Sequence, residues 1–191
     1  MKDIFKYGYL FKQDYHIKNI QENAELVVYS MVCFFVPFLL GHPQLLVGTV
    51  VNASLILAAL NLKSYKLLPI IMIPSLGVLT KGLIFGPFTI FLVYMIPFIW
   101  IGNTILVYCF KKFNLGLRMN KWFVLFIGSG LKVGFLFGIA YLLVKVGILP
   151  AVFLGAMGLL QVYTALLGGV LAFSVQGIKK RVLLVSDKKN P

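Results

Sequence analysis

The sequence predicts an all-α integral membrane protein, a bundle of six transmembrane helices with both the N- and C-termini in the cytoplasm. Three observations carry that expectation. Sixty percent of the 191 residues are apolar and only 12% are charged, whereas a soluble domain of this length needs far more polar surface to face water. The charges fall between long apolar stretches, as in a chain whose solvent is lipid. The basic residues also gather in the tails and in alternate loops, which is how a membrane protein sets its orientation.

Three segments follow from this pattern: an interfacial N-terminal segment over 1–25, a six-helix transmembrane domain over 26–178, and a basic cytoplasmic tail over 179–191. In the first, Phe5, Tyr7, Tyr9, Phe11 and Tyr15 alternate with Lys2, Lys6, Lys12 and Lys18, a pattern suited equally to headgroup-level anchors and to a partly ordered tail. The apolar run from Leu26 is read as a retained first helix, because no small-residue cleavage site follows Leu40. That helix ends at Gly41-His42-Pro43. The second covers about 44–60, before Lys63 and Lys66. The third, about 67–79, holds Pro69 and Pro74 and is short for a bilayer that asks for about 20 residues. The fourth starts after Gly86-Pro87 and ends before Lys111. The fifth covers about 122–144 and the sixth about 151–174.

A re-entrant third segment would reverse every later element. Six full crossings instead put Lys2, Lys6, Lys12, Lys18, Lys63, Lys66, Lys111, Lys112, Arg118, Lys121, Lys179, Lys180, Arg181, Lys188 and Lys189 on one side, fifteen of the eighteen basic residues. Such a bias is what the positive-inside rule describes, and it places the chain in the cell membrane. The net charge of +13 therefore reports orientation; no nucleic-acid module is readable. The five acids, Asp3, Asp14, Glu22, Glu25 and Asp187, are read as belonging to the tails. Cys33 and Cys109 have no metal-ligand spacing and read as small buried residues. No Walker A sequence, haem ligand pair or other enzyme signature is present, so neither an enzyme nor a cofactor is expected.

Lys132 is the most informative side chain. It lies ten positions into the fifth helix, where a charge costs at least about 2.5–3.5 kcal/mol and must face the bundle interior or water. Three answers stand for it: it is uncharged, it donates to carbonyls, Asn or Gln, or it meets an anionic group of a ligand. Asn52 and Gln161 fall at comparable depth, Asn103 lies somewhat nearer the cytoplasm, and Tyr163, Thr164 and Ser129 add hydroxyls. Such residues serve as glue between helices or converge on a pocket. Nearly opposite Lys132, Gly130, Gly134 and Gly138 form a small-xxx-small stripe expected to pack closely against another helix of the chain, or against a partner subunit.

Six spans in under 200 residues, cytoplasmic ends, small-residue faces and the stretch GLIFGPFTIFLVYMIPF (82–98) resemble the substrate-binding (S) components of energy-coupling-factor vitamin transporters. That resemblance implies binding of a vitamin-like or other small metabolite, reoriented by a transmembrane coupling subunit and two ATPases. It makes Lys132, Gln161, Tyr163 and Asn103 the expected ligand contacts, with Asn52 and Ser129 beside them. The family's Ala-rich coupling face belongs on the first helix, which lacks it; the second helix offers ASLILAAL (53–60), with Ala53 and Ala58, in its place. Segments HPQLLVGTVVNA and MIPFIWIGN are also similar to a small membrane family of hydrogenase-related description, for which no metal ligands are present. One competing class is a membrane anchor or assembly subunit that docks an acidic partner on Lys111, Lys112, Arg118 and Lys121; another, a membrane enzyme or ion-independent exporter, has no motif in the sequence.

Overall fold

The protein is seen in a computed structural model that describes residues 19–40, 43–85 and 88–189. The aromatic and lysine anchors of the first 18 residues, Asp3, Asp14 and His42 lie outside the described residues. Everything described is helix or short connection: α1 (Asn19–Leu39), α2 (Gln44–Asn61), a 3₁₀ turn at Ser64–Lys66, α3 (Leu67–Phe85), α4 (Phe88–Cys109) running into a π-helical turn (Phe110–Gly116), α5 (Lys121–Lys145), the short α6 (Val152–Met157) and α7 (Leu159–Lys189). Five stretches are long and apolar enough to cross a membrane, namely Ile20–Leu39, Gln44–Asn61, Ile90–Gly116, Lys121–Lys145 and Val152–Arg181; Leu67–Thr80 is a shorter apolar helix.

Local chemistry sets the ends. Asn120 caps α5 by accepting from the Trp122 N–H at 2.9 Å. Gly147, at φ +80°, takes the left-handed conformation that closes the other end of α5. Pro69 sits in the first turn of α3, where a missing N–H is harmless, while Pro74 stands inside it. At the end of α2 the buried Lys111 amine donates to the Leu62 carbonyl, a cation on a helix C-terminus.

Two elements differ from the sequence expectation. α1 begins at Asn19, so Glu22 and Glu25 belong to a helix and not to a tail. They are accommodated because each has a cation: Glu22, 1% exposed, accepts from Lys66 Nζ at 2.9 Å and from the Lys63 N–H at 2.7 Å, and Glu25 is paired with Lys179. Tyr29 donates to Glu25 at 2.9 Å, and Asn61 joins Tyr29 to Gln176, so α1, α2, the turn before α3 and α7 are tied at one end. The last apolar segment is likewise two helices, because the backbone breaks at Gly158 (φ −97°, ψ −104°) between α6 and α7.

α2 is the central helix. It packs against α1, α3, α4 and α7, and Leu55, Ile56, Ala58 and Ala59 are fully buried. Its crossing with α7 is backbone-close: a Cβ on Gly168 would lie 2.7 Å from Asn52 Cβ and 2.8 Å from the Thr49 carbonyl oxygen. Two apolar clusters fill the bundle. One, with Leu55, Ile70, Leu106 and Phe110, centres on α2; the other, with Met95, Leu136, Phe153 and Met157, joins α4, α5 and α6.

Candidate functional site

Lys132 is 2% exposed on the inner face of α5. Eleven residues separate it from Lys121 at the start of the helix, which sets it about 16 Å along the axis. Its Nζ donates to Asn52 Oδ1 on α2 at 2.6 Å and to Asn103 Oδ1 on α4 at 2.9 Å. Asn52 Nδ2 donates in turn to the Gly48 carbonyl (3.0 Å) and to Thr164 Oγ1 on α7 (3.2 Å), and Thr164 donates to the Gln161 carbonyl (3.2 Å). Asn103 Nδ2 donates to the Ile71 carbonyl on α3 at 3.1 Å. One continuous chain of hydrogen bonds thus joins five helices at the middle of the bundle.

Both asparagines use their whole amide, carbonyl toward the lysine and NH₂ toward α3 or α7, which fixes the side-chain orientation of each. The lysine uses two of its three donors in these bonds. No carboxylate among the described residues takes part: the acids of α1 lie at the end of the bundle with Asn61, nine residues and about 13 Å down α2 from Asn52. Ser129, three residues before Lys132 on the same buried face, has a hydroxyl with no hydrogen-bond partner among the described residues. Ser75 Oγ and Trp100 Nε1 are in the same position on α3 and α4; each lies about one turn from a member of the network, Ile71 and Asn103 respectively.

Of the residues singled out from sequence, Lys132, Asn52 and Asn103 meet directly. Ser129 shares their interior face. Gln161 contributes its backbone carbonyl and is half-buried. Tyr163 is 57% exposed and points out of the bundle, because Thr164, its neighbour 100° around α7, is the one turned inward. The Ile71 carbonyl had no side-chain signal, because a backbone acceptor leaves no mark in the sequence.

The expected packing residues divide in two. Ala53 and Ala58 are buried, 3% and 0% exposed, so ASLILAAL lies in the interior of the bundle. Among the described residues Gly130, Gly134 and Gly138 meet nothing: a Cβ on any of them would have no atom within 4 Å. Their stripe faces outward, and the close packing expected of it within the chain is made instead by Gly128 against Cys109 and by Gly102 against Leu136. Groups of three or more potential metal ligands are absent among the described residues.

Compared with models of protein families, with curated proteins and with solved structures, the chain matches none.

Proposed function

We propose that this chain is the membrane-embedded substrate-binding subunit of an uptake system for a small anionic or vitamin-like metabolite, with six spans and both termini in the cytoplasm. The observation that carries the reading is the buried Lys132 amine, held by two neutral amides with no acid beside it among the described residues. A cation so placed is electrically uncompensated in a medium that strongly favours compensation. The group that complements an ammonium with the Ser129 hydroxyl nearby is a carboxylate or a phosphate. The chain has no phosphate-binding loop of its own, so energy would come from a separate ATPase module, as the likeness to energy-coupling-factor S components implies.

Orientation follows from the end that carries Lys63, Lys66, Lys111, Lys112, Arg118, Lys121, Lys179, Lys180 and Arg181, against Lys81 and Lys145 at the other. The shorter apolar stretch of α3, Leu67–Thr80, then spans with local thinning of the bilayer.

The test is affinity purification of tagged protein from native membranes in mild detergent, with mass spectrometry of co-purifying proteins and small molecules, in wild type and in Lys132→Met. Two ATPases with a coupling subunit, or an acidic metabolite lost in Lys132→Met, is the expected result. A metabolite retained equally by the variant would sink the assignment to Lys132. A second reading, an anchor or assembly subunit, draws on the same network, because a lysine already held by Asn52 and Asn103 can serve as a tie between helices. Recovery of a stable multiprotein complex with no metabolite would select it.

A further inference from the structure

A second feature lies outside the polar network, on the flank of the bundle. Between α4 and α5 runs a lateral groove of about 330 Å³ lined by Ile101, Thr104, Ile105, Tyr108, Phe113 and Leu131, with Cys109 at its floor. That volume is within the range of ligand sites, about 300–1,000 Å³. Its lining is mostly apolar side chains and the Tyr108 ring: the Thr104 hydroxyl donates to the Trp100 carbonyl at 2.8 Å, and Cys109 is 2% exposed. An occupant of this groove must be hydrocarbon.

The groove has a charged end. Ile101, Thr104 or Ile105, Tyr108 and Lys112 succeed one another at i, i+4 spacing, so Lys112 continues the same face of the helix at the basic end of the bundle. Its Nζ stands 5.5 Å from the centre of the Tyr108 ring, which also lines the groove. The π-helical turn then closes, and Arg118, exposed and at φ 54°, begins the connection from the α4 wall to the α5 wall. The apolar slot is therefore followed along its α4 face by Lys112, and Arg118 comes next in the connection to α5.

We propose that this groove is a binding site for an anionic phospholipid of the leaflet on the basic side, one acyl chain lying along Ile101–Phe113 and the phosphate meeting Lys112 and Arg118. Charge complementarity selects the occupant: a zwitterionic lipid offers the same chain but no net charge, and each basic residue near the surface favours an anionic headgroup about fivefold. The site is independent of the substrate assigned to the Lys132 network and of the direction of transport.

The test uses the full-length protein in detergent, equilibrated with equal amounts of phosphatidylglycerol and phosphatidylcholine and examined by native mass spectrometry. Wild type should retain phosphatidylglycerol severalfold over phosphatidylcholine. Lys112→Ala should lower that preference about fivefold, Lys180→Ala on α7 should leave it unchanged, and Ile105→Trp, which fills the groove, should reduce retention of both lipids. Equal retention of the two lipids by wild type, or an effect of Lys180→Ala as large as that of Lys112→Ala, would overturn the site. So would a dimer that Ile105→Trp dissociates while lipid retention stays unchanged, since the groove would then hold a second copy of the chain.

Discussion

Asn52 and Asn103 each hold Lys132 with a carbonyl and hold a second helix with the amide nitrogen. Removing one of them leaves a buried donor with fewer acceptors. Asn103→Leu should therefore cost about 1–2 kcal/mol of bundle stability, read as a lowered midpoint in detergent unfolding. Lys132→Met combined with Asn103→Leu should cost less than the two single changes added together, because the pair acts as a unit; strict additivity would mean that the bond contributes nothing. At this scale the site was largely readable in the sequence. Polar side chains in apolar runs at matching depth have few places to go but toward one another. What could not be read was the rotation of α7, since Tyr163 and Thr164 are adjacent and the break at Gly158 decides which of them faces inward.

Between helices, the glycines invert the ranking that spacing alone suggests. A Cβ on Gly168 would meet Asn52 and the Thr49 backbone below 3 Å, whereas one on Gly134 would meet nothing. Gly168→Ala should destabilise by about 1–3 kcal/mol through overpacking, and Gly134→Ala should be neutral within about 0.5 kcal/mol or slightly stabilising. Melting temperatures of the two variants in one detergent check both statements. A four-residue repeat marks a smooth helix face, but nothing in it says whether a neighbour lies against that face. The start of α1 was hidden for a related reason, because Glu22 becomes a helical residue only through Lys66 and the Lys63 N–H, more than forty positions away. Glu22→Ala leaves the buried Lys66 amine with Asn23 Oδ1 in place of a carboxylate and should cost about 1–3 kcal/mol. Glu25→Ala, whose pair with Lys179 is partly exposed, should cost about 1 kcal/mol or less, and the same unfolding assay ranks the two.

Across the whole molecule, the alternation of apolar runs and basic loops conveyed the all-helical membrane architecture, because lipid restricts a spanning chain to so few solutions. The proposed orientation can be checked with single cysteines, since native Cys33 and Cys109 are both buried. A cysteine at Lys145 should react with a membrane-impermeant maleimide in intact cells, and one at Lys180 only after permeabilisation; the reverse pattern would invert the topology. The network around Lys132 also bears on how the chain is made. Asn52 and Asn103 both precede Lys132 in the sequence, while Thr164 follows it. When α5 leaves the ribosome, both amide carbonyls that receive its amine have therefore already been synthesised. The insertion penalty of a mid-helix lysine thus falls on a segment whose acceptors precede it, and α7, arriving last, adds its hydroxyl to a nearly finished knot.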